Sequence, residues 1–288
     1  MILVVGATGA LGGMVTRDLL SRGDAVRVLV RAGSEYGELM ELGAQPVMGD
    51  LKDAESLARA CAGVKTVITT ANSAARSEPD TVDAVDRRGN RALIDAAADA
   101  GCEHFIFVSA LGASAESPVD FFRAKADTEQ HLADSGMAYT IVQPNIFMEV
   151  WIGMMVAMPV QQGMPVTLIG RGDHRHAMIS MRDVAAFVVA AVSNPAARNT
   201  TLVIGGPDAL TWTQVVERAE SIVGRSLDIR YVAPGEPLPG RPPVAGQFGA
   251  LFETYESVID MSDATATYGV RLTTINDFLR AMLQPLDA

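Results

Sequence analysis

The sequence predicts an α/β fold, a doubly wound parallel sheet with a smaller C-terminal substrate lobe, on three observations. Short Val-, Ile- and Phe-rich runs alternate with amphipathic helical patterns from residue 1 to about 145. The runs are apolar throughout, as in Phe105-Ile106-Phe107-Val108, and strands buried on both faces have that composition. The first run, Ile2-Leu3-Val4-Val5, leads directly into Gly6-Ala7-Thr8-Gly9-Ala10-Leu11-Gly12, whose glycine spacing lets a strand turn sharply into a helix. Strand, glycine turn and helix in that order make the sheet Rossmann-type.

Strands are expected at 2–5, 25–30, 45–48, 65–70, 104–108 and 138–143, with helices at about 10–22, 34–42, 53–61, 81–100 and 119–136. In the first helix Met14, Val15, Leu19 and Leu20 recur at helical spacing, and Gly23 ends it. After Pro144 the regularity weakens. A stretch containing Met148, Trp151, Met154, Met155 and Met158 precedes a strand near 166–169, a helix at about 182–193 and a strand at 201–204 able to join the main sheet. Ser180 with Asp183, and Thr211 with Gln214, have capping-box spacing. Residues 233–247 are dense in Pro and Gly and read as a surface loop, with helices near 248–258 and 274–284 closing the chain. The expected organisation is a Rossmann-type domain over 1–145 and a smaller lobe over 146–288, with segments near 177–204 returning to the first domain's sheet. Ligands bind at the carboxyl ends of strands in such sheets, so a substrate is expected in the cleft between the lobes.

Composition narrows the function. A chain of 288 residues with a formal net charge of −11 lacks the basic footprint of a nucleic-acid binder. With 49% hydrophobic and 20% charged residues it has the composition of a folded globular protein. Cys61 and Cys102 show no metal-ligand spacing and need no disulfide framework, so no metal is expected and the expected setting is a reducing cytoplasm. The N-terminus has no charged leader or cleavage site, and the most lipid-like segment, 146–160, contains Glu149 and is too short to span a bilayer. No membrane anchor is expected.

The glycine turn carries chemistry as well as geometry. Its backbone can approach a pyrophosphate, which then rests on the N-terminus of the following helix. The second strand closes on Arg31. An Asp or Glu there would bond a ribose 2′-hydroxyl, whereas an arginine favours a 2′-phosphate, so the expected cofactor is NADP(H). An arginine past a strand end can also be a solvated surface charge. Arg76 lies near another strand end, where the same pocket would form.

Further motifs carry a family resemblance. Val26-Arg27-Val28-Leu29-Val30-Arg31, Gly49-Asp50-Leu51, Phe107-Val108-Ser109-Ala110-Leu111-Gly112, Lys125, Gln143-Pro144-Asn145 and Ser180-Met181-Arg182-Asp183-Val184-Ala185 join the glycine turn in this. With them the chain resembles, over essentially its full length, the NmrA-like family of atypical short-chain dehydrogenase/reductases. The resemblance implies that Gly6, Thr8, Gly9, Ala10, Leu11 and Gly12 wrap the pyrophosphate, and that Arg31 with Ser34 holds the 2′-phosphate. It further implies that Asp50 and Leu51 flank the adenine and that Thr70, Ala71 and Asn72 pass under the nicotinamide ribose. Pro144, Asn145 and Ile146 would reach the carboxamide. Asp50 has an alternative reading as the cap of the helix that follows it.

The catalytic motif departs from the pattern. Short-chain reductases set a tyrosine four residues before a lysine, whose charge lowers the phenol's pKa for proton transfer. Here Lys125 is present but Phe121 occupies the tyrosine position, and Leu111 stands where an assisting hydroxyl is expected. Lys125 is read as a ligand of the nicotinamide ribose and as the remaining acid/base; otherwise it is a solvated helix lysine. Ser109 reads as a strand terminator. His174 and His176 follow a turn and are either solvated or proton donors facing a cleft. Met148, Trp151 and Met155 share a helical face and line either an apolar pocket or a core. The expected function is therefore an NADPH-dependent oxidoreductase that passes hydride to a small apolar, quinone-like or conjugated acceptor. The alternative is a non-catalytic NADP(H)-sensing regulator with a protein partner.

Overall fold

The fold was analysed in a computed structural model that describes residues 1–74, 76–238 and 243–284. The chain forms two compact units. The first comprises Met1–Gln143, Val184–Val203 and Ala266–Val270, and the second Pro144–Asp183, Ile204–Thr265 and the chain from Arg271.

In chain order the elements are β1 (Ile2–Val5), α1 (Ala10–Ser21), β2 (Val26–Val30), α2 (Gly37–Glu41), β3 (Gln45–Met48), α3 (Ala54–Cys61) and β4 (Thr66–Thr69). A π-helical segment, Val82–Gly89, then runs into α4 (Asn90–Asp99), followed by β5 (His104–Val108), α5 (Asp120–Asp134) and β6 (Ala138–Pro144). Beyond these lie α6 (Met148–Ile152), a short π-helical turn, α7 (Met158–Gln161), β7 (Val166–Ile169), α8 (Met181–Ser193) and β8 (Thr200–Ile204). The chain continues through α9 (Trp212–Val223), β9 (Ile229–Val232), α10 (Pro243–Phe252), α11 (Ser262–Tyr268) and α12 (Ile275–Leu283).

Seven strands form one sheet in the order β3-β2-β1-β4-β5-β6-β8. β1 lies between β2 and β4 in parallel register, with Ile2 opposite Val26 on one side and Thr66 on the other. This is the doubly wound α/β architecture, with the strand order reversing beside β1. Leu3, Val5, Leu57, Val67, Leu93, Phe105, Phe107 and Ile141 fill the core on one face. β3 departs from the expected burial: Gln45, Pro46 and Met48 are exposed because it is the edge strand, where a proline costs no ladder hydrogen bond.

The second unit has its own core. Met148, Trp151 and Met155 are buried in it with Trp212, Phe252 and Phe278, and the Trp151 ring meets Phe252 edge-on at 4.9 Å. Of the two readings of the Met stretch, the structure shows core. β7 and β9 pair in parallel as a separate two-stranded sheet.

Four expectations are corrected. Residues 81–100 are not one regular helix, because the first half opens into the π-helical segment that buries Val85, Asp86 and Gly89 together. A Cβ on Gly89 would lie 2.9 Å from Ala84 O and 3.0 Å from Leu51 Cβ, so only glycine fits that wide turn. The Pro-rich 233–247 stretch is not loop throughout: α10 starts at Pro243, a first-turn position where the absent N–H is not needed, and residues 239–242 lie outside the described residues. α11 is missing from the sequence expectation because it buries no residue and so has no apolar periodicity. Ser180 and Asp183 do not form a capping box. The Ser180 hydroxyl donates to Glu149 Oε1 (2.7 Å), and the Asp183 carboxylate accepts from Thr273 N (2.7 Å) and Thr273 Oγ1 (2.8 Å). Thr211 and Gln214 do form one, with both reciprocal bonds present. Among the described residues no helix is long and apolar enough to cross a membrane.

Candidate functional site

The glycine turn is built around close backbone approach. Gly6 has φ +88°, and a Cβ on Gly12 would lie 2.1 Å from Gly6 O and 2.7 Å from Thr70 Oγ1. Gly9 caps α1 in extended conformation without a side chain, and no acidic residue occupies the first turn of α1, where Ala10, Leu11 and Gly12 sit. The first-turn N–H groups and the positive helix end thus meet no side-chain anion of their own, and this cradle fits a pyrophosphate. A cleft of about 260 Å³ adjoins it, lined by Ala7, Thr8, Gly9, Arg17, Tyr36 and Leu39 among others. Gly12→Ala is expected to cost about 1–3 kcal/mol of stability, because the methyl must displace the β1–α1 turn. Thermal unfolding checks this, and an unchanged midpoint contradicts it.

A cluster of cations lies past the carboxyl ends of β2, β3 and β4. Arg31 Nη1 bonds Asp80 Oδ2 at 2.6 Å, Arg76 Nη1 reaches the same oxygen at 3.0 Å, and Lys52 Nζ bonds Asp80 Oδ1. The Asp80 side chain is only 12% exposed, and Lys52, then Arg31 and Arg76, hold its carboxyl well below the usual carboxylate range. Three cations on one carboxylate leave a net positive charge, the requirement for binding a phosphate dianion. Ser34 is half-buried, with its N–H on Arg31 O at 3.1 Å across the turn at Gly33. Asp50 Oδ1 accepts from Lys52 N (2.9 Å) and Oδ2 lies 3.4 Å from Lys52 Nζ. The cap of α3 is Asp53, which accepts from Glu55 N at 3.1 Å, so the capping alternative for Asp50 is corrected. Leu51 is buried at 8% exposure beside it.

The segment after β4 is tied to its surroundings. Thr70 N donates to Val5 O (3.0 Å) and Asn72 Nδ2 to Thr70 O (3.3 Å). Lys125 is 2% exposed, which corrects the solvated-lysine alternative. Its Nζ lies 3.3 Å from Asp86 Oδ1 and 3.4 Å from Val108 O, between the rings of Phe107 (4.9 Å) and Phe121 (5.2 Å). Phe121, one turn earlier on α5, therefore closes an apolar wall over the ammonium where a phenol would have offered a proton. On the next turn, Gln143 Nε2 donates to both Glu129 carboxylate oxygens at 2.9 and 3.0 Å. Burial pushes the Glu129 carboxyl up, and the Ser109 hydroxyl, Gln143 and the Lys125 charge pull it back.

Pro144, Asn145 and Ile146 belong to the second unit, where the Asn145 amide Nδ2 donates to Ala177 O and Ser257 Oγ, both at 2.9 Å. His176 is fully buried, not solvated: Nδ1 meets Ser257 Oγ at 2.8 Å and Nε2 meets Phe252 O at 3.1 Å. Asp173, His174 and Glu253 bring ligand-type atoms within 4.8 Å of one another at a partly exposed position, where Asp173 is already paired with Arg171. Sequence reasoning missed Lys52, Asp80, Asp86, Asn90 and Glu129. The one local signal was the four-residue spacing of Arg76 and Asp80; the rest depend on which segments fold together.

Residues 1–279 match the family model described as the NmrA-like family. The chain belongs to the NmrA-like family. Among relatives, an NAD(P)H azoreductase of Xenophilus azovorans is 35% identical over 81% of this chain and 77% of its own length. Photosystem II assembly factor Ycf39 of Cyanophora paradoxa is 33% identical over 80% of this chain and 71% of its own. The NmrA-like fold extends to solved structures. The NADPH complex of the quinone oxidoreductase QOR2 from Escherichia coli superposes with a TM-score of 0.82 at 22% identity, covering 98% of this chain and 99% of that one. The NADP(H) complex of Citrobacter sp. triphenylmethane reductase gives 0.81 at 19% identity, covering 98% and 100%.

Proposed function

We propose that this chain is an NADPH-dependent oxidoreductase whose acceptor is small, apolar and conjugated, of the quinone or azo type. The observation that carries the cofactor half is the cluster of Arg31, Lys52 and Arg76 on Asp80 at the strand ends, beside the glycine cradle. A 2′-phosphate adds to such a cluster the negative charge it lacks. The NAD(P)H azoreductase relative supports both halves of the reading. The reading also carries a cytoplasmic setting, consistent with two buried thiols, Cys61 and Cys102.

The dinucleotide supplies the hydride. Gly6 to Gly12 hold its pyrophosphate, Arg31 its 2′-phosphate, and Thr70 to Asn72 with Lys125 the nicotinamide ribose. With Phe121 in place of tyrosine, no phenol delivers a proton. A conjugated acceptor tolerates this, because it delocalises the charge that arrives and takes its proton from water or Lys125 after orientation has done most of the catalysis. The second reading, a non-catalytic NADP(H)-responsive regulator with a protein partner, is favoured by Phe121 and by the assembly-factor relatives.

NADPH consumption against a panel of quinones and azo dyes separates the two. Turnover is expected, with kcat/KM falling about 100-fold in Lys125→Ala. Tight NADPH binding without turnover on any acceptor would establish the regulator instead.

A further inference from the structure

Asp86 is a buried carboxylate that neither the cofactor contacts nor the acceptor chemistry explains. It is fully buried in the π-helical segment, a distortion that recurs at functional sites. Each of its oxygens serves a different element. Oδ2 accepts from Ser73 N (3.0 Å) and Ser73 Oγ (2.6 Å), just past β4. Oδ1 faces Lys125 Nζ at 3.3 Å on α5. Its carbonyl accepts from Thr128 Oγ1 at 2.9 Å on the same helix. One turn later Asn90, also fully buried, accepts from Thr69 Oγ1 (2.9 Å) and donates to Ala71 O (3.3 Å). The segment Thr69–Ser73 is thus anchored at both ends by one helical run.

Stability alone is a weak reason for this arrangement, since a buried ion pair is often no better than apolar side chains of similar volume. We propose that Asp86 is a positioning residue, whose carboxylate fixes the Lys125 ammonium and the Thr70–Ser73 segment in one arrangement for the dinucleotide. The inference rests on the cofactor reading above. A displacement of the segment is carried to the ammonium through the two oxygens of one rigid group, and the converse holds. Among the described residues Glu129 on α5 also feels the Lys125 charge, and Arg87, next to Asp86 in the chain, is engaged by Asp83, Asp120 and Asp127.

The test is NADPH titration alongside thermal unfolding for wild type, Asp86→Asn, Ser73→Ala and the double variant Asp86→Asn/Lys125→Met. Asp86→Asn is expected to raise the NADPH Kd at least about 10-fold and to lower the midpoint, because Lys125 is left buried without its anion. Ser73→Ala removes a single hydrogen bond and keeps both charges, so the Kd is expected to rise about three- to tenfold with little change in midpoint. The double variant is expected to recover the midpoint, which assigns the loss in Asp86→Asn to the unpaired ammonium, while a raised Kd at unchanged midpoint in Ser73→Ala is the separation that a purely structural role does not produce. Wild-type affinity in both Asp86→Asn and Ser73→Ala overturns the proposal, and Ser73→Ala decides alone if Asp86→Asn does not fold. Failure of the wild type to bind NADPH overturns the cofactor reading itself, a distinct result.

Discussion

Arg31→Asp is expected to raise the Kd for NADPH about 100-fold while leaving that for NADH within about threefold. A charge-assisted hydrogen bond to phosphate is worth about 1.5–3 kcal/mol, and every 1.4 kcal/mol is tenfold in affinity. On the proposed cofactor reading, reversing the charge removes that bond and places an anion beside another carboxylate, Asp80, where the phosphate would settle. Lys52 and Arg76 remain and limit the loss, so binding weakens without vanishing. NADH has no 2′-phosphate and does not register the change. Arg31 is 40% exposed, so its ion pair with Asp80 contributes little to folding and the variant should stay folded. Fluorescence titration of both nucleotides measures the ratio, and equal weakening of the two refutes the phosphorylated-cofactor assignment.

Acid is expected to destabilise each unit through one buried histidine. Burial lowers His104 in the first unit and His176 in the second from 6.5 to about 4. The hydrogen bonds show why the neutral ring is held. Thr140 Oγ1 donates to Ala197 O (2.6 Å), so it accepts from His104 Nε2 (2.8 Å), and Nδ1 has no hydrogen-bond partner among the described residues. For His176, Nε2 donates to Phe252 O and Nδ1 accepts from Ser257, which in turn accepts from Asn145. A second proton has no acceptor beside His104, and beside His176 it requires the Ser257 hydroxyl to turn away to Asn145 Oδ1 at 3.3 Å. Because the folded pKa lies below the unfolded one, the unfolded chain binds more protons between pH 6.5 and 4. The contribution is whole above that window and falls as pH drops through it, by about 3 kcal/mol for each histidine. Glu129 and Asp183, whose carboxyls burial pushes up, offset part of this. Thermal unfolding between pH 7 and 4.5 should show a steep decline, and His176→Gln should flatten the share due to the second unit. A midpoint independent of pH across that range contradicts the account.

The first strand, the glycine turn and the Val-, Ile- and Phe-rich strands were legible in the sequence because each is local: periodicity and glycine spacing operate within a few residues. The position of Arg31 at the close of β2 was legible for the same reason, since it depends only on where its own strand ends. The tight fit of Gly12 against Gly6 belongs to this class too, as both residues lie in one turn. α11 and β9 left no such mark, one burying nothing and the other short and half-exposed.

The amino-acid sequence by itself thus determined the sheet, the glycine turn and the arginine that closes the second strand. Tertiary structure decided what surrounds them. Asp80 meets three cations from three separate strand ends, Lys125 lies between the rings of Phe107 and Phe121 against Asp86, and His176 is sealed by residues some eighty positions away. Burial and pairing of a charge are properties of the segments that pack against it, and no periodicity within one segment encodes them.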